Sequence, residues 1–204
     1  MLALVALAAA ALGARWAARD RFSVRHTAAV FSRVDGARYR VHGAGPEAAA
    51  ASDTLATLNG RAVAVLRRLR DTYVRGAAGT FRQRRAAARL LARYDPDSLA
   101  ENSPRDPSGD TSYTINKGEL IALCLRERAE GAPLHDIDVL TFVALHEMAH
   151  LATDAVDHPA EFWATFRFLL EEAEAAGVYT SPDFAARPRA YCGLSINYNP
   201  RWDN

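Results

Sequence analysis

From Val139 to Ala152 the chain reads VLTFVALHEMAHLA, a proline-free run that is apolar on almost every side of a helix. Such a segment is stable in water only when other elements enclose it. The remainder of the chain must therefore build a core around this helix, and Asp136 or Asp138 is placed to cap its start. The ionisable residues within the run gather at one end, as His146, Glu147 and His150. Residues i and i+4 lie one above the other on a helix face, so both imidazoles point the same way, with Glu147 beside them.

Two imidazoles one turn apart can share a metal ion. Nitrogen donors in an open tetrahedral site suit Zn2+, with water in the remaining position. Glu147 is then placed to take a proton from metal-bound water and return it to a leaving amine. The bland alternative is a histidine pair satisfied in the core, but the uncharged flanks Val143-Ala144-Leu145 and Leu151-Ala152 favour the metal. Spacing leaves the third ligand open. His158 falls eight residues beyond His150, where the metal helix should end and His-Pro-Ala-Glu-Phe-Trp begins the next. Asp154, at i+4 from His150, is its rival, either as a ligand or as a carboxylate that orients a histidine. Glu161, Glu171, Glu172 and Glu174 are more distant alternatives, otherwise read as a solvated helix face.

The 204 residues suit one compact domain with a terminal appendage. With 50% hydrophobic residues and only Cys124 and Cys192 as cysteines, neither a disordered chain nor a disulfide-stapled miniprotein fits. Asp35-Gly36 predicts a type I′ turn between strands at 31–34 and 37–41. A helix is predicted over 52–75 and another over 80–93, the latter with Arg82, Arg85, Arg89 and Arg93 on one face. Prolines and turn formers make 95–110 a surface loop. Strands are expected at 111–115 and 120–125, joined around Asn116-Lys117-Gly118. A last helix starts at Asp157 or His158 and ends at Gly177, before a mostly irregular tail. The expected organisation is a terminal segment 1–20, a basic hairpin and helical region 21–94, the loop 95–110 and a core 111–204.

Leu2 to Ala14 is an unbroken run of apolar and small residues, followed by Arg15, Arg19, Arg21 and Arg25 and preceded by no basic residue. By the positive-inside rule this pattern predicts a single membrane anchor through residues 2–18 with the following domain on the cytosolic side. A cleaved signal and secretion is the alternative. An inside-facing domain would keep Cys124 and Cys192 reduced, and sequence does not reveal whether they pair. The net charge of +1 conceals an uneven distribution: residues 1–94 carry 17 arginines against five acids, a net +12, and residues 95–204 a net −11. The basic half suits lipid headgroups or nucleic acid, unless the two halves neutralise each other. Lys117 is the only lysine in a chain where arginine replaces it throughout. Three roles are open to it: holding the turn, meeting a substrate carboxylate in a cleft it shares with Asn116, or simple exposure. Tyr179, Tyr191 and Tyr198 are donors for a tetrahedral oxyanion that spacing does not rank.

Three blocks in order carry a family resemblance. Tyr113-Thr-Ile-Asn-Lys117-Gly-Glu-Leu-Ile-Ala-Leu-Cys-Leu-Arg126, then VALHEMAHLA, then His158-Pro-Ala-Glu-Phe162 resembles the WLM-type metallopeptidases, relatives of the SprT-like zincins, over about residues 111–176. The resemblance implies an α+β, minimal zincin-like fold: a small sheet packed on an active-site helix, its edge strand bordering the cleft. To this the chain's own start adds an N-terminal apolar helix. The resemblance also implies His146, His150 and His158 as metal ligands and Glu147 as base. The expectation is a zinc-dependent, membrane-tethered peptidase acting on protein or peptide substrates. Two alternatives stand beside it. One is a zinc-stabilised binding or scaffold module with a basic lipid- or nucleic-acid-facing half. The other is a DNA–protein crosslink protease, as the best-known relatives are.

Overall fold

Enclosure of the apolar helix comes from helices on one side and a sheet on the other. The computed structural model describes residues 27–103, 111–129 and 131–203. Four α-helices lie among them: α1 (Gly45–Leu69), α2 (Phe81–Arg93), α3 (Ile137–Ala152) and α4 (Ala160–Ala175). Helix α3 carries His146, Glu147 and His150 and is capped by Asp136, whose carboxylate accepts the Asp138 N–H at 2.8 Å. It packs against α1, α2 and α4 and against strands β4 (Tyr113–Ile115) and β5 (Leu120–Cys124). One apolar core, including Leu55, Val65, Leu140, Met148, Phe166 and Leu169, joins the helices to β5, while Tyr113 and Ile115 of β4 pack against a smaller cluster of Ala100, Leu120 and Ala122. The architecture is thus mixed α+β. The expected apolar helix and anchor over residues 1–20 fall outside the described residues, among which no helix is long and apolar enough to cross a membrane.

The sheet has five strands in the order β1 (Ala28–Phe31), β2 (Arg38–Val41), β3 (Leu99–Asn102), β5, β4. Strands β2, β3 and β5 run parallel, while β1 and β4 are antiparallel to their neighbours. All five residues of β5 are buried, as expected for an apolar strand covered on both faces. Strand β4 forms the edge beside α3. Strands β1 and β2, from the region 21–94, pair into the same sheet as β3, β4 and β5.

Three local expectations are corrected. Strand β3 lies inside the stretch expected to be loop. Its Glu101 is fully buried, and its carboxylate accepts the His42 N–H at 2.7 Å and Arg126 Nε at 2.9 Å. Burial pushes the Glu101 pKa up, and these two donors oppose the shift. Helix α1 begins at Gly45 rather than at 52, since Pro46 sits in the first turn, where a missing N–H costs nothing. A π-helical turn, Arg70–Arg75, then closes the helix. The 28–41 hairpin has a longer loop than a type I′ turn, because Ser32 Oγ and the Arg33 N–H both donate to Asp53 in α1. Thr80 and Gln83 form a capping box at the start of α2.

The tail is more regular than its prolines imply. Strands β6 (Arg189–Tyr191) and β7 (Leu194–Ile196) form a hairpin around Cys192 and Gly193, both at positive φ as a type I′ turn requires. Cys192 is disulfide-bonded to Cys124 at the end of β5, across 68 residues of sequence. The pairing differs from the reduced state expected of an inside-facing domain. A cross-link of this span should contribute about 2–4 kcal/mol by restricting the unfolded chain. Reduction, or the Cys192→Ser variant, is expected to lower the unfolding free energy obtained from urea titration by that amount, and with it the midpoint. Equal midpoints with and without reductant would show that the cross-link adds nothing.

Candidate active site

Helix α3 presents His146 and His150 one turn apart, and the loop after it returns His158 to the same point. One ligand atom from each of the three imidazoles lies within 4.8 Å of the others, so the group could hold a metal ion. His158 Nε2 is 3.0 Å from His146 Nε2. The wall behind them is aromatic: Phe162, on the first turn of α4, stacks 4.4 Å from His150 and 4.9 Å from His146, centroid to centroid. Burial depresses the His146 pKa to about 3, helped by the charges of His150 and His158. It depresses His150 to about 4, helped by His158 and Lys117 and opposed by Asp157. Both imidazoles are therefore neutral at pH 7, the form that binds metals.

Glu147 is only 4% exposed. Burial lifts its pKa to about 7, against the opposing hydrogen bond from Thr114. Thr114 Oγ1 donates to Glu147 Oε2 at 2.8 Å from the edge strand β4. Sequence inspection did not single out Thr114, although a signal was present. Ser112, Thr114 and Asn116 alternate with the apolar Tyr113 and Ile115, and in a strand such alternation puts the polar set on one face. All three line an open cleft of about 600 Å³ that also contains His146, Glu147 and His150.

Asp154 does not join the histidines. Its carboxylate accepts Arg93 Nη2 at 2.8 Å and pairs with Arg89 as well. These arginines hold its pKa below the ordinary carboxylate range. Three of the four distant glutamates are also occupied elsewhere. Glu172 accepts from Arg68 and from Tyr73 Oη, Glu174 from Arg201, and Glu171 from Arg167. Asn116 lines the cleft but donates to Glu119 within its own turn at 2.7 Å. Lys117 also borders the cleft, and its Nζ donates to the carbonyls of His150 and Ala155. Among the tyrosines, Tyr191 is buried with its hydroxyl 2.5 Å from Ser112 Oγ, Tyr198 bonds Asp203, and Tyr179 lies near Asp138 at the far end of α3.

A mixed α+β fold with a histidine triad beside a buried glutamate has the components of a metal-dependent hydrolase, and the comparisons with known proteins point the same way. The chain is 32% identical over 145 residues to the DNA-dependent metalloprotease WSS1 homolog 2 of Schizosaccharomyces pombe, which covers 71% of this chain and 46% of that protein. It is 42% identical over 100 residues to an uncharacterized protein of Acanthamoeba polyphaga mimivirus, 49% of each chain. It is 39% identical over 72 residues to an uncharacterized protein of Invertebrate iridescent virus 6, covering 35% of this chain and 40% of that one. The chain thus spans about half the length, or less, of these curated relatives. No family model and no solved structure matches it. It is a distant homologue of a metalloprotease.

The elevated pKa of Glu147 has a consequence for stability. A carboxyl whose folded pKa is raised favours folding while protonated; its contribution is complete below its ordinary value of 4.5 and lost as pH rises through about 7. The depressed pKa values of His146 and His150 act in the other direction, their contribution being lost as pH falls below 6.5. In the metal-free chain, Glu147→Gln is therefore expected to exceed wild type by up to about 3 kcal/mol above pH 7, a gain that vanishes in acid. Urea unfolding at the two extremes measures it, and equal stability above pH 7 would contradict the burial of a charge.

Proposed function

We propose that the chain is a zinc-dependent peptidase of the WLM-type, zincin-like kind. The observation that carries this is the convergence of three imidazoles beside a buried carboxylate, two of them held neutral. The donor set fits zinc: three nitrogen ligands, no thiolate, and no cluster of carboxylates such as harder cations require. His146, His150 and His158 would hold the ion. When bound, zinc supplies Lewis-acid chemistry, which polarises a carbonyl.

The protein's own groups do the rest. Thr114 fixes one oxygen of Glu147 and leaves the other to face the attacking water. The carboxyl is placed to accept the water's proton and to return it to the departing amine. Among the described residues β4 is the edge strand of the sheet beside the histidines, and an extended peptide would lie along it. The apolar run 2–14 supports attachment to a membrane. The Cys124–Cys192 bond favours an oxidising compartment for the domain over the cytosolic side indicated by the arginines. DNA dependence is stated in the name of the S. pombe relative and is not needed by this reading, because Asp154 already neutralises part of the α2 arginine face.

Glu147→Gln is expected to retain zinc and to lose about 10²–10⁴-fold in kcat/KM on a peptide substrate. Hydrolysis at the wild-type rate by this variant would remove Glu147 from the mechanism.

A further inference from the structure

Beyond Ala152, where α3 ends, the spacer that leads to His158 has no regular structure, yet it must deliver its last residue to within reach of α3. The end of α3 leaves carbonyls without helical partners, and two cations collect them. Arg93 donates to the carbonyls of Leu151 at 2.8 Å and Thr153 at 3.0 Å, so it grips the first part of the spacer. Lys117 Nζ donates to His150 O at 3.1 Å and to Ala155 O at 2.9 Å. One ammonium thus joins the peptide unit of one imidazole-bearing residue to a point three residues before another. Among the described residues no other hydrogen bond holds 155–157, where Val156 is 78% exposed and Asp157 turns the chain at φ 59°.

The turn carrying Lys117 is built for this placement. Asn116 and Lys117 are both left-handed, at φ 46° and 55°, and Gly118 sits at φ 117°. A Cβ on Gly118 would fall 2.4 Å from the Arg93 carbonyl, so the turn lies hard against the end of α2. From there a lysine reaches the end of α3. The ammonium is a compact donor on a slim stem, whereas a guanidinium is a wider planar fork that would have to fit beside Arg93 at the same helix end. That distinction gives a physical reason for a lone lysine in a chain that uses arginine everywhere else.

We infer that Lys117 is a positioning residue for the third metal ligand: its ammonium ties the end of α3 to the 153–158 loop and so sets where His158 stands. The inference rests on the metal reading above. Its test uses the purified full chain, with zinc affinity measured by competition against a chromophoric chelator and ligand number read from the visible spectrum of the cobalt-substituted protein. Lys117→Met is expected to bind zinc about 10–100-fold more weakly, the usual range for losing a group that orients a ligand. Its cobalt spectrum should move toward that of His158→Ala. Lys117→Arg should share the loss. Lys117→Cys alkylated with 2-bromoethylamine, which rebuilds an ammonium of similar reach, should recover it. Wild-type affinity and spectrum in Lys117→Met overturn the inference while leaving the metal reading intact. Absence of zinc binding by the wild-type chain overturns the metal reading and the inference with it. Should Lys117→Met fail to fold, a folded Lys117→Arg with wild-type affinity is the overturning result.

Discussion

Placing a carboxyl and two imidazoles in a helix that is otherwise apolar means withdrawing them from water, and the surrounding structure is organised around that desolvation. It keeps His146 and His150 neutral and raises Glu147 to near neutrality. The same burial requires apolar neighbours on every other side of α3, which α1, α2, α4 and the sheet provide. Chemistry at the open end and packing along the rest of the helix are therefore two results of one constraint. A more solvated helix would leave its histidines partly protonated below pH 7 and its glutamate an ordinary acid.

The polar groups at the opening are held by parts of the chain remote in sequence. Thr114 reaches Glu147 from the sheet edge, and Lys117 and Arg93 take the last carbonyls of α3 and those of the loop beyond. The C-terminal hairpin supports the same edge strand, since Tyr191 meets Ser112 Oγ, and Ser112 Oγ accepts the Cys124 N–H at 3.0 Å. With the Cys124–Cys192 bond this makes a continuous connection from the hairpin to the strand that borders the cleft.

Features decided by local periodicity were legible in the sequence. The α3 pattern, the i and i+4 histidines, the apolar β5 and the cap at Asp136 all depend on residues within a turn or two of each other. Strand β3 was not legible, because Glu101 and Asn102 read as loop until His42 and Arg126 are seen to satisfy the buried carboxylate from 59 and 25 residues away. Asp154 satisfied the helical spacing rule for a ligand, yet α3 ends at Ala152 and the arginines of α2 claim its carboxylate. The acceptors of Lys117 are backbone carbonyls, which leave no mark in a sequence. Its oddity as a lone lysine was visible, but its task was not.

Zinc binding at the proposed site depends on which side chain joins His146 and His150. Zinc content of wild type, Asp154→Ala and His158→Ala, measured on dialysed protein, tests this most directly. The expected result is about one zinc per chain in wild type and in Asp154→Ala, as three nitrogen ligands allow, with most of it lost from His158→Ala. Full zinc content in His158→Ala together with loss from Asp154→Ala would contradict the arrangement described.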